Sequence, residues 1–390
     1  MISIVVLKES GEGMKPSGIG GQAVIEGVMM KNKDEYAIAV RKPDNEIVID
    51  KQIYRGLASR NSFTKLPIIR GVLSFIDSMI IGTRTITYSA SFYDEEEETA
   101  TKHSDKAKAN KESKKSKEKK DSKENKEKSD GLFMALTISA SVILAVGIFI
   151  LLPLWLSSLL SKTIESNTLL AVLEGVIRIA IFVIYIFVIS RLNDIQRVFM
   201  YHGAEHKSIN CIENGYELTV ENVKWQSRFH KRCGTSFMLI VICISSIFFI
   251  LIRFDSIILK TLTRLVLVPV IAGISYEFIK LAGRTENKFV EFLSKPGMWM
   301  QGLTTKEPTD DMIEVAIASV QAVFDWREFI EEKRVEELPK ESRIKEADEL
   351  IAKAIEESAA TKVAEDGFVE PEEDDEILKA LDKYFETKHR

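Results

Sequence analysis

Four apolar runs dominate the middle of the chain: Leu132 to Leu160, Leu169 to Leu192, Ser236 to Phe254 and Ile257 to Gly283. A helix needs roughly 20 apolar residues to cross a bilayer core, and each run supplies them. The fourth qualifies despite Lys260 and Arg264 near its start. Short connections, Ser161 to Thr168 and one near Arg253 to Ser256, predict two helical hairpins. Ahead of the runs the period changes. Gln22 to Met30, Tyr36 to Lys42 and Glu46 to Tyr54 are short, rich in Val and Ile, and punctuated by turn formers such as Pro43-Asp44-Asn45, which predicts a small antiparallel sheet. Glu26 interrupts the first of these segments; it reads as an edge or solvent-facing position, or else as a carboxylate that needs a partner. Residues 67–92 follow Pro67 with Arg70, Asp77 and Arg84 set apart from the apolar positions, the pattern of an interfacial amphipathic helix. After the last run, KPGMWMQGLTTKEP reads as a turn-rich connector, and Thr309 is expected to cap an amphipathic helix with Asp310 and Asp311 in its first turn.

This pattern predicts an α-helical multi-pass membrane protein of about four transmembrane helices, with a small N-terminal antiparallel β-sheet and cytosolic C-terminal helices. Its parts are residues 1–92, the sheet and the interfacial helix; 93–130, a disordered Lys/Glu-rich linker; 131–300, a four-helix membrane domain with a loop at 193–235; 301–338, an amphipathic helix; and 339–390, an acidic helical tail.

Whole-chain averages conceal the division, because 28% charged residues and a net charge of −5 over 390 residues look ordinary. Charge is concentrated in residues 94–130 and 327–390. The first block lacks aromatic residues and mixes lysines with acids, so it fits a solvated linker and not a nucleic-acid footprint. Its lysines precede the first apolar run, and Arg191, Arg197, Lys207, Lys224, Arg228, Lys231 and Arg232 lie between the second and third. The excess of positive charge on cytosolic loops then places both termini and the 193–235 loop in the cytosol, in a plasma membrane. No cleaved signal peptide is expected from the N-terminus, whose apolar run is short and lacks a basic leader. The three cysteines form no disulfide framework; Cys211 and Cys243 read as buried structural thiols. Within the second run, Glu174 and Arg178 stand at i and i+4 and are expected to pair with each other or with Arg264.

The chemistry concentrates between Tyr201 and Cys233, which hold three of the five histidines and two of the three cysteines. His202-Gly203-Ala204-Glu205-His206 has the form H-x-x-E-H, which on a helix sets two imidazoles on one face, a turn apart. The second apolar helix is expected to continue past Arg191 to Asn214-Gly215, which would carry the histidines about 15 to 20 Å beyond the membrane at ~1.5 Å per residue. Two imidazoles make half of a divalent metal site, with zinc as the candidate ion. His230 and Cys233 are the candidates to complete it, with Glu26 and Glu277 as further carboxylates. Glu205 is the natural general base if the metal keeps a position open to water. Gly203 speaks against the motif, since glycine weakens a helix by roughly 1 kcal/mol relative to alanine.

Six stretches carry a resemblance: GGQAVIEGVMMK, LPIIRGV, DIQRVFMYHGAEHKSIN, RCGTSF, AGISYE and PGMWMQGLTTKEP. In these the chain resembles the YqhQ family of bacterial membrane proteins, over roughly residues 18–92 and 131–326. The resemblance implies an integral membrane protein catalogued as a predicted metal-dependent enzyme. It maps the family's histidine pattern onto His202, Glu205 and His206, and its Cys-Gly pattern onto Cys233 and Gly234. The leading expectation is a metal-dependent hydrolase on a membrane-associated substrate, with membrane lipids around it. The alternatives are a non-catalytic scaffold that docks membrane or cytosolic proteins through the N-terminal sheet and C-terminal helices, and a small transporter in which Glu174 or Arg178 controls a flux.

Overall fold

A computed structural model describes residues 16–57, 63–106, 136–137, 139–251, 254, 256–282 and 287–337. Most of the Lys-rich linker and all of the acidic tail fall outside the described residues.

Four strands, β1 (Gly20–Val24), β2 (Gly27–Asn32), β3 (Glu35–Arg41) and β4 (Ile47–Ile53), pair antiparallel in sequence order. The single strand expected over Gln22 to Met30 is therefore a hairpin, turning at Ile25 and Glu26, with Val24 opposite Gly27 and Glu26 at φ 49°. Neither turn residue is a turn former and the apolar pattern runs straight through, which hid the reversal. The central strands β2 and β3 are covered on both faces, so they read as nearly continuous apolar runs and not as an alternation. One face sets Val24, Met29, Tyr36, Ile38 and Val40 against Ile81 of α1 (Pro67–Lys106). The other buries Val28, Met30, Ala37 and Ala39 completely, beneath α9 (Asp310–Val323), whose Ser319 hydroxyl donates to the Ala37 carbonyl.

Among the described residues, four helices are long and apolar enough to cross a membrane: α2 (Ser139–Leu160), α3 (Asn167–Ile189), α6 (Gly234–Leu251) and α7 (Ile257–Ala282). Large apolar side chains such as Ile143, Val176, Ile247 and Val266 stay exposed on them, as lipid-facing positions should. Between α3 and α7 lies a charged knot. Glu174 accepts from Arg178 at 2.5 Å and from both terminal nitrogens of Arg264, at 2.6 and 2.9 Å, and each arginine also rests on Phe249. Arg178 further donates to the Phe149 carbonyl in a π-helical turn of α2, Gly147–Leu151. Cys243 corrects the expectation of a buried thiol, because it is exposed on α6; hydropathy does not separate a lipid-facing side from a protein-facing one.

The expected continuous helix from the second run into the histidines is broken. α3 ends at Ile189, Leu192 is extended at φ −74°, ψ 132°, and a separate helix, α4 (Asn193–Glu213), carries the motif. The short α5 (Val220–Trp225) follows it. The connector after the last span is also helical: α8 (Lys288–Thr304) runs through Pro296 and Gly297. Its packing on α6 and α3, with Met300 against Phe182, Ile186 and Leu239, overrides the local breakers. The amphipathic helix expected from Asp310 is divided at Phe324. Its second part, α10 (Trp326–Glu337), belongs with residues 215–217 to a separate compact unit, and Asp325 caps it by accepting from the amides of Arg327 and Glu328.

Candidate metal centre

His202 and His206 sit one turn apart on α4, ring centroids 4.4 Å apart, with Cys233 facing them from the residue before α6. Each histidine is oriented from behind. His202 Nδ1 lies 2.8 Å from the Thr304 carbonyl and His206 Nδ1 2.6 Å from the Arg228 carbonyl. A carbonyl only accepts, so both Nδ1 atoms carry the proton and both Nε2 lone pairs are free. Those lone pairs share the space in front of Cys233: its Sγ is 3.3 Å from His202 Nε2, and the three ligand atoms lie within 4.8 Å of one another. A tetrahedral zinc with bonds of about 2.0–2.3 Å separates its ligands by roughly 3.3–3.6 Å. The donor set, the 3.3 Å approach of Cys233 to His202 and the carbonyl-anchored tautomers fit such an ion, since metal-binding histidines characteristically donate their other N–H to an acceptor behind them.

Glu205 flanks the group, with Oε2 3.5 Å from His206 Nε2 and 4.0 Å from His202 Nε2. It is buried, and β1 covers it: a side chain on Gly21 would meet Glu205 Cγ at 2.6 Å. His206 and Cys233 are equally enclosed, leaving His202 as the partly exposed member.

The protonation states follow from this crowding. Burial is the largest influence on the His202 imidazole and pushes its pKa down, but the Cys233 sulfur and Glu205 together outweigh it, raising the value to about 9. His206 is raised against the same burial by Glu205 and Cys233. Burial alone would push the Cys233 thiol up, yet the two histidines hold it well below the usual thiol range. These directions favour a Cys233 thiolate beside a protonated imidazole when no ion is bound, and a metal would take the place of the proton on Nε2. At Cys211 burial prevails, taking the thiol up to about 12.

Of the residues singled out from sequence, His202, His206, Cys233 and Glu205 converge. His230 stands beside them, ring centroid 5.7 Å from that of His206, but its Nε2 lies 3.3 Å from Glu213, which also binds Arg232 and the Ser17 amide and hydroxyl. Glu26 and Glu277 are engaged elsewhere. Glu26 pairs with Arg197 and accepts from the Tyr201 hydroxyl, and Glu277 takes Arg70 in a two-point contact at 2.6 and 3.1 Å. The break at Leu192 separates α4 from α3, and the α4 histidines meet a cysteine in the residue just before α6.

Gly203 acquires the opposite meaning from the one its helix propensity suggests. An added Cβ would overlap the Lys306 carbonyl oxygen, because the segment after α8 crosses α4 in backbone contact, with the Lys306 amide donating to the Phe199 carbonyl at 2.8 Å. That crossing delivers the Thr304 carbonyl to His202. Sequence reasoning also missed Gln301, which is fully buried. Its side-chain oxygen accepts from the His230 amide, and its nitrogen donates to the His230 carbonyl and the Ser236 hydroxyl, clamping the chain on either side of Cys233. A glutamine within the apolar stretch GMWMQGL was the available signal. Thr304 and Arg228 contribute only carbonyls and left none.

The fold and site together define a multi-pass membrane protein with a largely enclosed His-His-Cys cluster beside the start of α6. The chain belongs to the family described as "Protein of unknown function (DUF1385)", which matches residues 66–326. It is similar to the "Uncharacterized protein YqhQ" of Bacillus subtilis (strain 168), 34% identical over 311 residues that cover 78% of this chain and 91% of the relative. No solved structure matches it.

Proposed function

We propose that the protein is a metal-dependent hydrolase whose centre, His202, His206 and Cys233 with Glu205 beside it, acts at the cytosolic surface of the plasma membrane. The observation that carries this reading is the convergence of two carbonyl-anchored Nε2 lone pairs and one thiolate on a single point. The Lys- and Arg-rich character of the 193–235 loop supports the cytosolic side. A position at the foot of α6 favours a substrate held in or at the bilayer, a lipid or a membrane protein segment. A divalent ion held there would polarise the substrate's reacting oxygen and make water a nucleophile near neutral pH. Glu205, packed under β1 at hydrogen-bonding reach of that space, takes the proton from the attacking water and returns it to the leaving group as the scissile bond breaks. The buried walls exclude bulk water, and His202 lines the approach.

Metal analysis of the purified full-length protein tests this. About one zinc, manganese or iron per chain is expected in the wild type and in Glu205→Gln, and none in His202→Ala/His206→Ala. Loss of metal in Glu205→Gln would make Glu205 a fourth ligand and the site structural. No stoichiometric metal in any sample, even after metal is offered, would overturn the reading.

A further inference from the structure

The start of α1 reaches further into the membrane region than an interfacial helix does. Gly71 packs backbone to backbone on Gly273 of α7: a Cβ at Gly71 would meet the Gly273 carbonyl oxygen at 2.5 Å, and one at Gly273 would meet the Ile68 carbonyl oxygen at 2.6 Å. Gly273 lies two and a half turns inside the end of α7 at Ala282, a depth of about 13 Å. A second ruler agrees. Phe75, one turn after Gly71, stacks on Phe237 with ring centroids 5.8 Å apart, and Phe237 is about one turn inside the start of α6 at Gly234. By Gly82 the helix is beside Gln22 of the sheet. So α1 enters at its N-terminus and leaves toward the sheet.

Polarity follows the same axis. Asp77 accepts from the Tyr54 hydroxyl at 2.8 Å and the Leu57 amide at 3.1 Å, tying the chain that leaves β4 at the level of the membrane surface. Arg70 and Glu277 neutralise each other about two turns deeper. Beyond them three apolar side chains are uncovered: Phe63 is 66% exposed, Leu66 49% and Ile68 46%. They flank a helix whose own outward residues, Leu262, Leu265 and Val266, are those of a lipid-facing span.

We infer that residues 63–76 form a re-entrant element that dips into the bilayer from the sheet side, with Phe63, Leu66 and Ile68 in contact with acyl chains. The occupant of this apolar face is lipid, because the face continues the lipid-facing surface of α7 at the same depth. Close glycine-to-glycine approach is how helices associate where lipid removes the hydrophobic drive between them. This inference stands apart from the metal centre, and its test does not touch it.

The test is photocrosslinking of the full chain in phospholipid nanodiscs. Benzoylphenylalanine is placed at Phe63, at Ile68, at Leu262 as a lipid-facing reference, and at Glu46 in the β3–β4 turn, and adducts are read by intact-protein mass spectrometry. The expected result is a phospholipid adduct at positions 63 and 68 in a yield within about threefold of that at 262, and at least tenfold less at 46. Adducts at 262 with none at 63 or 68 would overturn the proposal. So would crosslinks from 63 or 68 to a second protein chain. An unchanged elution volume and thermal midpoint in each labelled protein separate a local misfit from a wrong placement.

Discussion

Replacing Gly203 with alanine puts two physical terms in opposition, and the structure decides between them. Helix propensity alone favours alanine by roughly 1 kcal/mol in a helix interior. Against it, the new methyl would overlap the Lys306 carbonyl oxygen, a backbone atom that moves only if the whole crossing segment moves. Overpacking of this kind costs about 1–3 kcal/mol. Separation of the segments would also weaken the Lys306-to-Phe199 hydrogen bond and the His202-to-Thr304 bond, each worth about 1 kcal/mol. The net expectation is a destabilisation of about 2–3 kcal/mol. Gly302→Ala is the matched control, since Gly302 lies in α8 with nothing near an added Cβ and should gain the propensity term unopposed. Thermal unfolding in detergent, followed by intrinsic fluorescence, should show Gly203→Ala falling by several degrees and Gly302→Ala rising slightly. Gly203→Ala should also bind metal more weakly, because the anchor behind His202 loosens. A Gly203→Ala midpoint equal to or above that of wild type would refute the close crossing.

Other substitutions probe separate parts of the account. Glu174→Gln leaves Arg178 and Arg264 buried without their shared carboxylate and should cost about 3–5 kcal/mol, read as a collapse of the detergent-solubilised midpoint. Replacing all three with leucine and methionine should recover most of that loss, and failure to do so would show that the triad does more than hold helices together. Burial would raise the Glu213 carboxyl, but His230, Arg232 and Ser17 overcome it and hold its pKa at about 2. A carboxyl depressed on folding stabilises above its ordinary range near 4.5 and loses that stabilisation as pH falls toward 2. Glu213→Gln should therefore cost about 2–3 kcal/mol at pH 7 and flatten the stability profile between pH 5 and 3; a profile as steep as that of wild type would assign the acid sensitivity elsewhere.

The parts of this fold that were legible in the sequence are those where one force acts alone. Lipid demands an uninterrupted apolar run, and the expected spans agree with the candidate helices within three residues at each end, with one exception. The first is expected from Leu132, outside the described residues, and its helix is described from Ser139. The spacing of His202 and His206 needed only the helical period. Features set by tertiary contact were obscure. The turn at Ile25 and Glu26 is held by Arg197 and Tyr201 and by no turn propensity of its own. Pro296 and Gly297 look like helix breakers, yet α8 passes through them because it packs along α6, with Gly297 against Ser236. Gly203 reads as a flaw in a helix until the crossing backbone is in place. Cys233 was nameable as a candidate, but its 3.3 Å approach to His202 depends on the break at Leu192, which no periodicity announces.

The mixed nitrogen and sulfur centre is tested most directly by X-ray absorption at the zinc edge on the zinc-loaded protein. The account predicts one sulfur at about 2.3 Å and imidazole nitrogens at about 2.0–2.1 Å, with the sulfur lost in Cys233→Ser and imidazole scattering reduced by half in His206→Ala. A sulfur shell that survives Cys233→Ser, or a spectrum without imidazole scattering in the wild type, would contradict it.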